Sequence, residues 1–376
     1  MNPSAELRAG FEMPSGIYLR SNAVGCLPRS ARSTTARFLD HWAEGGADSW
    51  GLWLDSVEGF RRALGRVLGA KAEELSVQVN LSAALTKLIG ALPPRNGRRR
   101  IVYSELDFPS LGFVCQQSAR LGYEPCAIPA QGGTLPLSVW DQYLTPDVQL
   151  AHVTHVLSNS GYQVDVPGVL RLCRERGIFA VVDVAQSAGV VPIELSSWDA
   201  TCVIGCSVKW LCGGPGASFL WIRSDLLPEL RPIDVGWFSH ARPFELDIRH
   251  FEYAADANRF WGGTPSVLPY AVATCGLEAI HAIGLAPIRA HNLALTRALQ
   301  DAARAADLQV NTPTDEALRG GSVAIGFPDN ETAVRRLNEH GIRVDQRPPF
   351  GVRFSPHVYN TMQEIERVAE LFSALR

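Results

Sequence analysis

The sequence predicts an α/β protein: a mainly parallel central sheet with crossover helices, followed by a smaller α+β C-terminal domain. Three observations carry this. Short, nearly continuous apolar runs alternate with helix-like segments, and such runs suit strands buried on both faces. At 376 residues the chain is longer than one average domain. After about residue 245 the strand–helix rhythm stops and long Ala-rich helices replace it.

Taken in order, the first 40 residues show no period and read as an irregular arm, 1–40, that joins the small domain. Residues 41–245 form the large domain. Its strands are read at Val77-Gln78-Val79, Ile101-Val102-Tyr103, Leu150 to Leu157, Phe179 to Val184, Thr201 to Cys206 and Ser218 to Ile222. Between them lie helical stretches at Ser82 to Leu92, Leu111 to Leu121 and Val169 to Arg176, the last stopped by basic residues and Gly177. Strand, helix, strand in repetition means crossover connections. Residues 246–376 hold helices at Pro265 to Ile283 and Leu285 to Ala306. Strands follow at Val323 to Phe327 and Val352 to Phe354, then a closing amphipathic helix at Thr361 to Leu375.

Composition excludes several functions. Hydrophobic residues are 46% and charged residues 19%, which is not the composition of a disordered chain. A net charge of −3 with no basic stripe argues against a nucleic-acid partner. No apolar stretch is long enough to span a bilayer and no secretory pattern opens the chain, so a cytoplasmic protein with no membrane partner is expected. The eight cysteines form no C-x-x-C pair and mostly sit in apolar runs, as buried free thiols do. No metal is expected either. His152 and His155 would point to opposite faces of a strand and share no ion.

The chemistry is concentrated between Val181 and Gly216. Asp183 ends an apolar strand, at the sheet edge where α/β folds place ligands. Lys209 follows the next strand, flanked by apolar residues and a Gly213-Gly214-Pro215-Gly216 turn. A desolvated lysine is a Schiff-base former. An ordinary helix cap would explain the aspartate alone, and a snorkelling side chain the lysine alone. The pair in this order calls for a common explanation.

This segment resembles the class V aminotransferase superfamily of pyridoxal-phosphate enzymes, and within it the kynureninase family. Cys206-Ser207-Val208-Lys209-Trp210-Leu211-Cys212-Gly213-Gly214 is similar to that family's lysine motif. Similar stretches recur in the family's order at Gly16-Ile17-Tyr18-Leu19, Asp48-Ser49-Trp50, Asp107-Phe108-Pro109-Ser110, Val235-Gly236-Trp237-Phe238, Gly263-Thr264-Pro265-Ser266 and Val352-Arg353-Phe354-Ser355-Pro356. The resemblance implies the fold-type-I pyridoxal-phosphate transferase architecture, with pyridoxal 5'-phosphate as cofactor.

Roles follow from resemblance and physics together. Lys209 would hold the cofactor covalently and then work as acid and base at the substrate α-carbon. Asp183 would pair with the ring nitrogen, and Phe108 would stack on the ring. The phosphate would rest at the helix opening after Val79, on Asn80, Ser82 and Ala83, with Ser207 adding a hydroxyl. The resemblance also places Trp237 and Thr264 at the phosphate, Thr264 from a neighbouring subunit, which implies a homodimer with shared active sites. Arg353 would fork onto the substrate carboxylate, with Asn22 and Tyr18 beside it.

The chain departs from the kynureninase pattern in three places. The histidine of the aspartate turn is Gln186, as in cysteine desulfurases, where the glutamine meets the cofactor's phenolic oxygen. The tyrosine before the lysine is Val208. The usual Asp-Gly-Asn-Ser-Leu-Gly stretch is Arg20-Ser21-Asn22-Ala23-Val24-Gly25. No cysteine lies beyond Cys275 to carry a persulfide, which counts against a desulfurase. The expected activity is hydrolytic Cβ–Cγ cleavage of kynurenine or a related aryl-keto amino acid. The alternatives are a class V aminotransferase, a β-lyase or desulfurase-like enzyme, or a non-catalytic amino-acid sensor.

Overall fold

The computed structural model describes residues 7–130 and 132–375. Seven strands build the central sheet: β1 (Leu75–Gln78), β2 (Arg100–Ser104), β3 (Glu124–Ile128), β4 (Val148–Thr154), β5 (Phe179–Asp183), β6 (Cys202–Cys206) and β7 (Ser218–Ile222). Their spatial order is β1-β7-β6-β5-β4-β2-β3. Strands β2 to β6 pair in parallel, while β7 runs antiparallel to both β6 and β1.

Both faces of this sheet are covered, which is why its strands read as apolar runs rather than alternations. Alternate residues enter separate cores, as a two-residue period requires. Ile101, Val181, Ile204 and Leu220 pack with Leu85 and Leu88 of helix α3 (Leu81–Ala91) and Leu111 of α4 (Pro109–Gln117). Val102, Val182, Val203 and Phe219 face the other way, toward α2 (Trp50–Leu68), α6 (Val166–Glu175) and α7 (Val267–Ile283).

A second, antiparallel sheet follows. Its strands β8 (Gln309–Val310), β9 (Val323–Gly326), β10 (Asp345–Arg347) and β11 (Gly351–Phe354) lie in the order β8-β9-β11-β10. Helices α8 (Leu285–Ala305), α9 (Asn330–Glu339) and α10 (Met362–Ala369) cover it through Leu295, Leu299, Leu337, Ile365 and Val368. The N-terminal segment is tied to this unit. Ile17–Tyr18 pairs in parallel with Ile342–Arg343, and the Ser21 and Tyr359 hydroxyls lie 2.7 Å apart.

The sequence reading needs correction at several elements. The first 40 residues are not all irregular, because Ser30–Gly45 forms helix α1. Ala31 is its only buried residue, so it lacks the apolar stripe that would betray a helix. Helix α2, α5 (Leu137–Tyr143) and the edge strand β3 also escaped it. The closing helix stops at Ala369, and a separate short turn spans Phe372–Leu375. All eight cysteines are free. Among the described residues no single helix is long and apolar enough to cross a membrane.

Candidate active site

Asp183 closes β5 and Lys209 lies three residues beyond β6, so adjacent parallel strands deliver both groups to one sheet edge. The lysine turn is tightly held. The Cys212 N–H donates to the Lys209 carbonyl at 3.0 Å, and Cys212 adopts a left-handed φ of 54°. The Gly25 N–H donates to the Val208 carbonyl at 2.8 Å. Three glycines press against this turn. A Cβ at Gly25 would collide with the Lys209 carbonyl, one at Gly276 with the Leu211 carbonyl, and one at Gly189 would stand 2.6 Å from the Trp210 carbonyl. Any larger residue there would push the turn away.

The Lys209 ammonium has no hydrogen bond or ion pair among the described residues. It sits 5.4 Å from the centroid of the Phe108 ring. Asp183 is buried, and its Oδ1 accepts the Ala185 N–H at 2.7 Å. Burial pushes the Asp183 carboxyl above the usual carboxylate range, and the charges of His152 and Lys209 offset this only in part.

These groups line one cavity of about 270 Å³, together with Asn80, Ser82, Phe108, Ser110, Val208 and the Gly214–Gly216 turn. One end is the N-terminus of α3, where free backbone N–H groups favour an anion. Asn80 is the cap of that helix; its Oδ1 accepts the Ala83 N–H at 2.8 Å. The Ala83 N–H is therefore committed to the cap, and Ala83 does not line the cavity, against the sequence expectation. Phe108 is 38% exposed, leaving a ring face open.

Other expected residues lie elsewhere. Ser207 is fully buried and outside the cavity, packed where a Cβ at Gly213 would come within 2.5 Å, and its Oγ has no partner among the described residues. Gln186 is turned inward: its Nε2 donates to the Asn22 carbonyl at 3.0 Å and its Oε1 accepts from Trp210 Nε1 at 3.0 Å. Trp237 packs edge-on with Trp50 and Phe244, and Thr264 is exposed; neither lines the cavity of its own chain. The Tyr18 hydroxyl donates to the Val24 carbonyl at 2.7 Å.

Arg353 does not offer a free fork. Its Nε and Nη2 donate to Asp345 at 2.8 and 2.7 Å, and its Nη1 to the Ser158 carbonyl at 2.6 Å. The Asn22 amide joins them, donating to Ser355 Oγ and accepting from Arg353 Nη2, both at 2.9 Å. The pairing arises because β10 runs antiparallel to β11 with Asp345 opposite Arg353. Arg347, two residues further along β10, has no side-chain hydrogen bond or ion pair among the described residues, and its Cζ lies 5.4 Å from the Phe108 centroid. Sequence reasoning missed it, and Ser110 as well. The signal for Arg347 is its two-residue offset from Asp345 on an edge strand. For Ser110 it is the Phe108-Pro109 helix start, which turns the first residues of α4 toward the cavity.

A free lysine, a buried carboxylate, an open aromatic face and a capped helix N-terminus around one cavity fit a flat, protonatable ring bearing a phosphate. Residues 17–368 match the profile of the aminotransferase class-V family. The chain belongs to that family. It is 30% identical to the kynureninase of Pseudomonas fluorescens over 96% of this chain and 89% of that one. It is 31% identical to the kynureninase of Deinococcus radiodurans over 94% and 88%. The apo structure of a cysteine desulfurase from Thermococcus onnurineus superposes with a TM-score of 0.83 at 21% identity, covering 96% and 94% of the two chains. That likeness establishes the fold-type-I architecture. Class-V aminotransferases and kynureninases use pyridoxal 5'-phosphate, and the site fits it.

Proposed function

We propose that this class-V member is a pyridoxal-phosphate enzyme of the kynureninase kind. It hydrolyses the Cβ–Cγ bond of kynurenine or a related aryl-keto amino acid, taking up one water and releasing an aryl acid and alanine. The observation that carries the reading is the unpaired Lys209 beside Asp183 and Phe108 in one cavity, in a chain about 30% identical to two kynureninases along nearly its whole length.

When bound, the cofactor supplies an electron sink for the substrate's α-carbon. The chain's own groups do the rest. Lys209 Nζ anchors the cofactor covalently, then takes and returns the α-proton. Asp183 holds the ring nitrogen's proton by charge, and Phe108 covers a ring face. The α3 N-terminus with Asn80 and Ser82 receives the phosphate. Substrate carboxylate is received at the Arg347–Arg353 corner, with Arg347 supplying the unpaired charge and Arg353 held by Asp345 and Asn22. Val208 offers no hydroxyl, so the proton that Cβ needs to become the methyl group of alanine comes from Lys209 or from the cavity hydroxyls of Ser82, Ser110 and Ser218. Thr264 reaches the phosphate from a second copy of the chain, in a homodimer, and Trp237 is the further phosphate contact that the resemblance implies.

Incubation of the purified protein with pyridoxal phosphate and kynurenine or 3-hydroxykynurenine should yield the anthranilate and alanine by mass. A keto acid formed with an amine acceptor would replace this reading by transamination, and pyruvate with ammonia by β-elimination. Borohydride reduction should fix the cofactor on Lys209; a label elsewhere sinks the assignment.

A further inference from the structure

His152 is used by none of the steps above. It lies on β4, completely buried, and its Nδ1 is 2.8 Å from Asp107 Oδ2. Asp107, whose side chain is 2% exposed, is fixed on every side. Its Oδ1 accepts the Thr154 hydroxyl at 2.7 Å and its Oδ2 accepts the Ser104 N–H at 3.0 Å. The other nitrogen of the ring, His152 Nε2, is buried with no partner among the described residues. An orphaned buried donor is costly and calls for a reason.

The sheet register supplies one. Thr154 stands opposite Asp183 and His152 opposite Val181, so His152, Thr154 and Asp183 share one face of the sheet. Burial alone would strip the imidazole of its proton. The charges of Asp107 and then Asp183 overcome this and hold His152 above the ordinary histidine range. In return, His152 is the first of the charges that favour ionised Asp183. The titratable groups around the trio are Tyr103 on β2, Cys115 on α4, Cys206 on β6 and Lys209 beyond it. Burial holds the phenol and both thiols neutral, which leaves His152 and Lys209 as the cations.

Resting on the cofactor reading above, we propose that Asp107 and His152 are a positioning pair behind Asp183. Asp107 grips the imidazole through Nδ1, and the imidazole serves as the buried cation that keeps Asp183 ionised for the cofactor's ring nitrogen. Because Asp107 directly precedes Phe108, the same pair couples the stacking residue to the ring-nitrogen partner. The Lys209 amine would be tied to the cofactor, so the charge of His152 is the one that does not depend on that bond.

The test is cofactor affinity of the folded protein against pyridoxal phosphate, titrated from about pH 8 to 5 with tryptophan fluorescence recorded at each step. Protonation of Asp183 weakens binding on the acid side. His152→Gln removes the cation, and the acid limb should move upward by about one pH unit or more. Asp107→Asn leaves the imidazole without its anion and should shift the limb in the same direction; it also carries the test where His152→Gln does not fold. The double variant should shift it no further than the larger single change. A wild-type protein that loads cofactor while both variants keep its affinity and its acid limb overturns the proposal. So do affinity losses that are equal at every pH, since these report mere packing damage. A wild-type protein that takes up no cofactor overturns this proposal together with the functional reading.

Discussion

Arg353 carries its own counterion, and this changes what each arginine variant should do. Removing one partner of a mostly buried ion pair strands the other and costs about 3–5 kcal/mol. Arg353→Ala should therefore lower the denaturant midpoint as well as raise KM, because Asp345 and Ser158 lose their donor. Arg347→Ala has no pair to break. It should raise KM tenfold or more with the midpoint almost unchanged, and equal effects in the two variants would refute the division between them. Lys209 and Asp183 were legible because a polar residue ending an apolar run stands out in one dimension. The Asp345–Arg353 pair was not, since only the antiparallel register of two short strands places those residues opposite each other. The inward partners of Gln186 were hidden for the same reason: Asn22 and Trp210 are remote in sequence.

The lysine turn is an element defined more by what touches it than by its own sequence. Gly276 lies inside α7, where alanine would ordinarily favour the helix, yet any side chain there meets the Leu211 backbone. Gly276→Ala should cost about 1–3 kcal/mol by overpacking and weaken cofactor retention, because the turn bearing Lys209 must shift. Gly90, within α3 and with open space around it, is the control: alanine there should stabilise by roughly 0.5–1 kcal/mol. Thermal melts and cofactor dialysis of both variants would separate the effects; retention lost in both would disprove the clamp. At this scale, strands buried on both faces were easily read, and helix α1 was hidden because it turns almost nothing apolar inward.

Across the whole molecule, two buried histidines set an acid limit. Burial pushes His155 and His357 down to about 4, with His357 Nε2 held 2.8 Å from the Trp210 carbonyl. An unfolded histidine titrates near 6.5, so the unfolded chain binds these protons first. Stability is full above about pH 6.5 and falls as pH drops toward 4, by roughly 2 kcal/mol per histidine at pH 5. Urea midpoints at pH 7 and 5 should show this loss, and His357→Gln should reduce it. A second prediction concerns assembly. Ile233, Phe244, Leu246 and Ile248 stand exposed on the stretch around Trp237, with Ile248 at 100%, and a patch of this kind marks a contact surface. Ile248→Asp should convert the proposed dimer to a monomer in light scattering and loosen the cofactor; an unchanged mass would remove this surface from the interface. The fold class was legible because two-faced burial leaves its mark in composition. Assembly was reached through resemblance alone, because a single chain's pattern does not record its partner.

The pairing of Ile17–Tyr18 with Ile342–Arg343 joins opposite ends of the chain, and Gly25, a few residues further along the arm, donates to the turn that bears Lys209. During synthesis the arm emerges well before its partner strand. The strands of the central sheet all precede residue 223, whereas the arm that braces the lysine turn gains its partner strand only once residues 342–343 have been made. A protein truncated near residue 340 should therefore keep its sheet yet bind cofactor poorly.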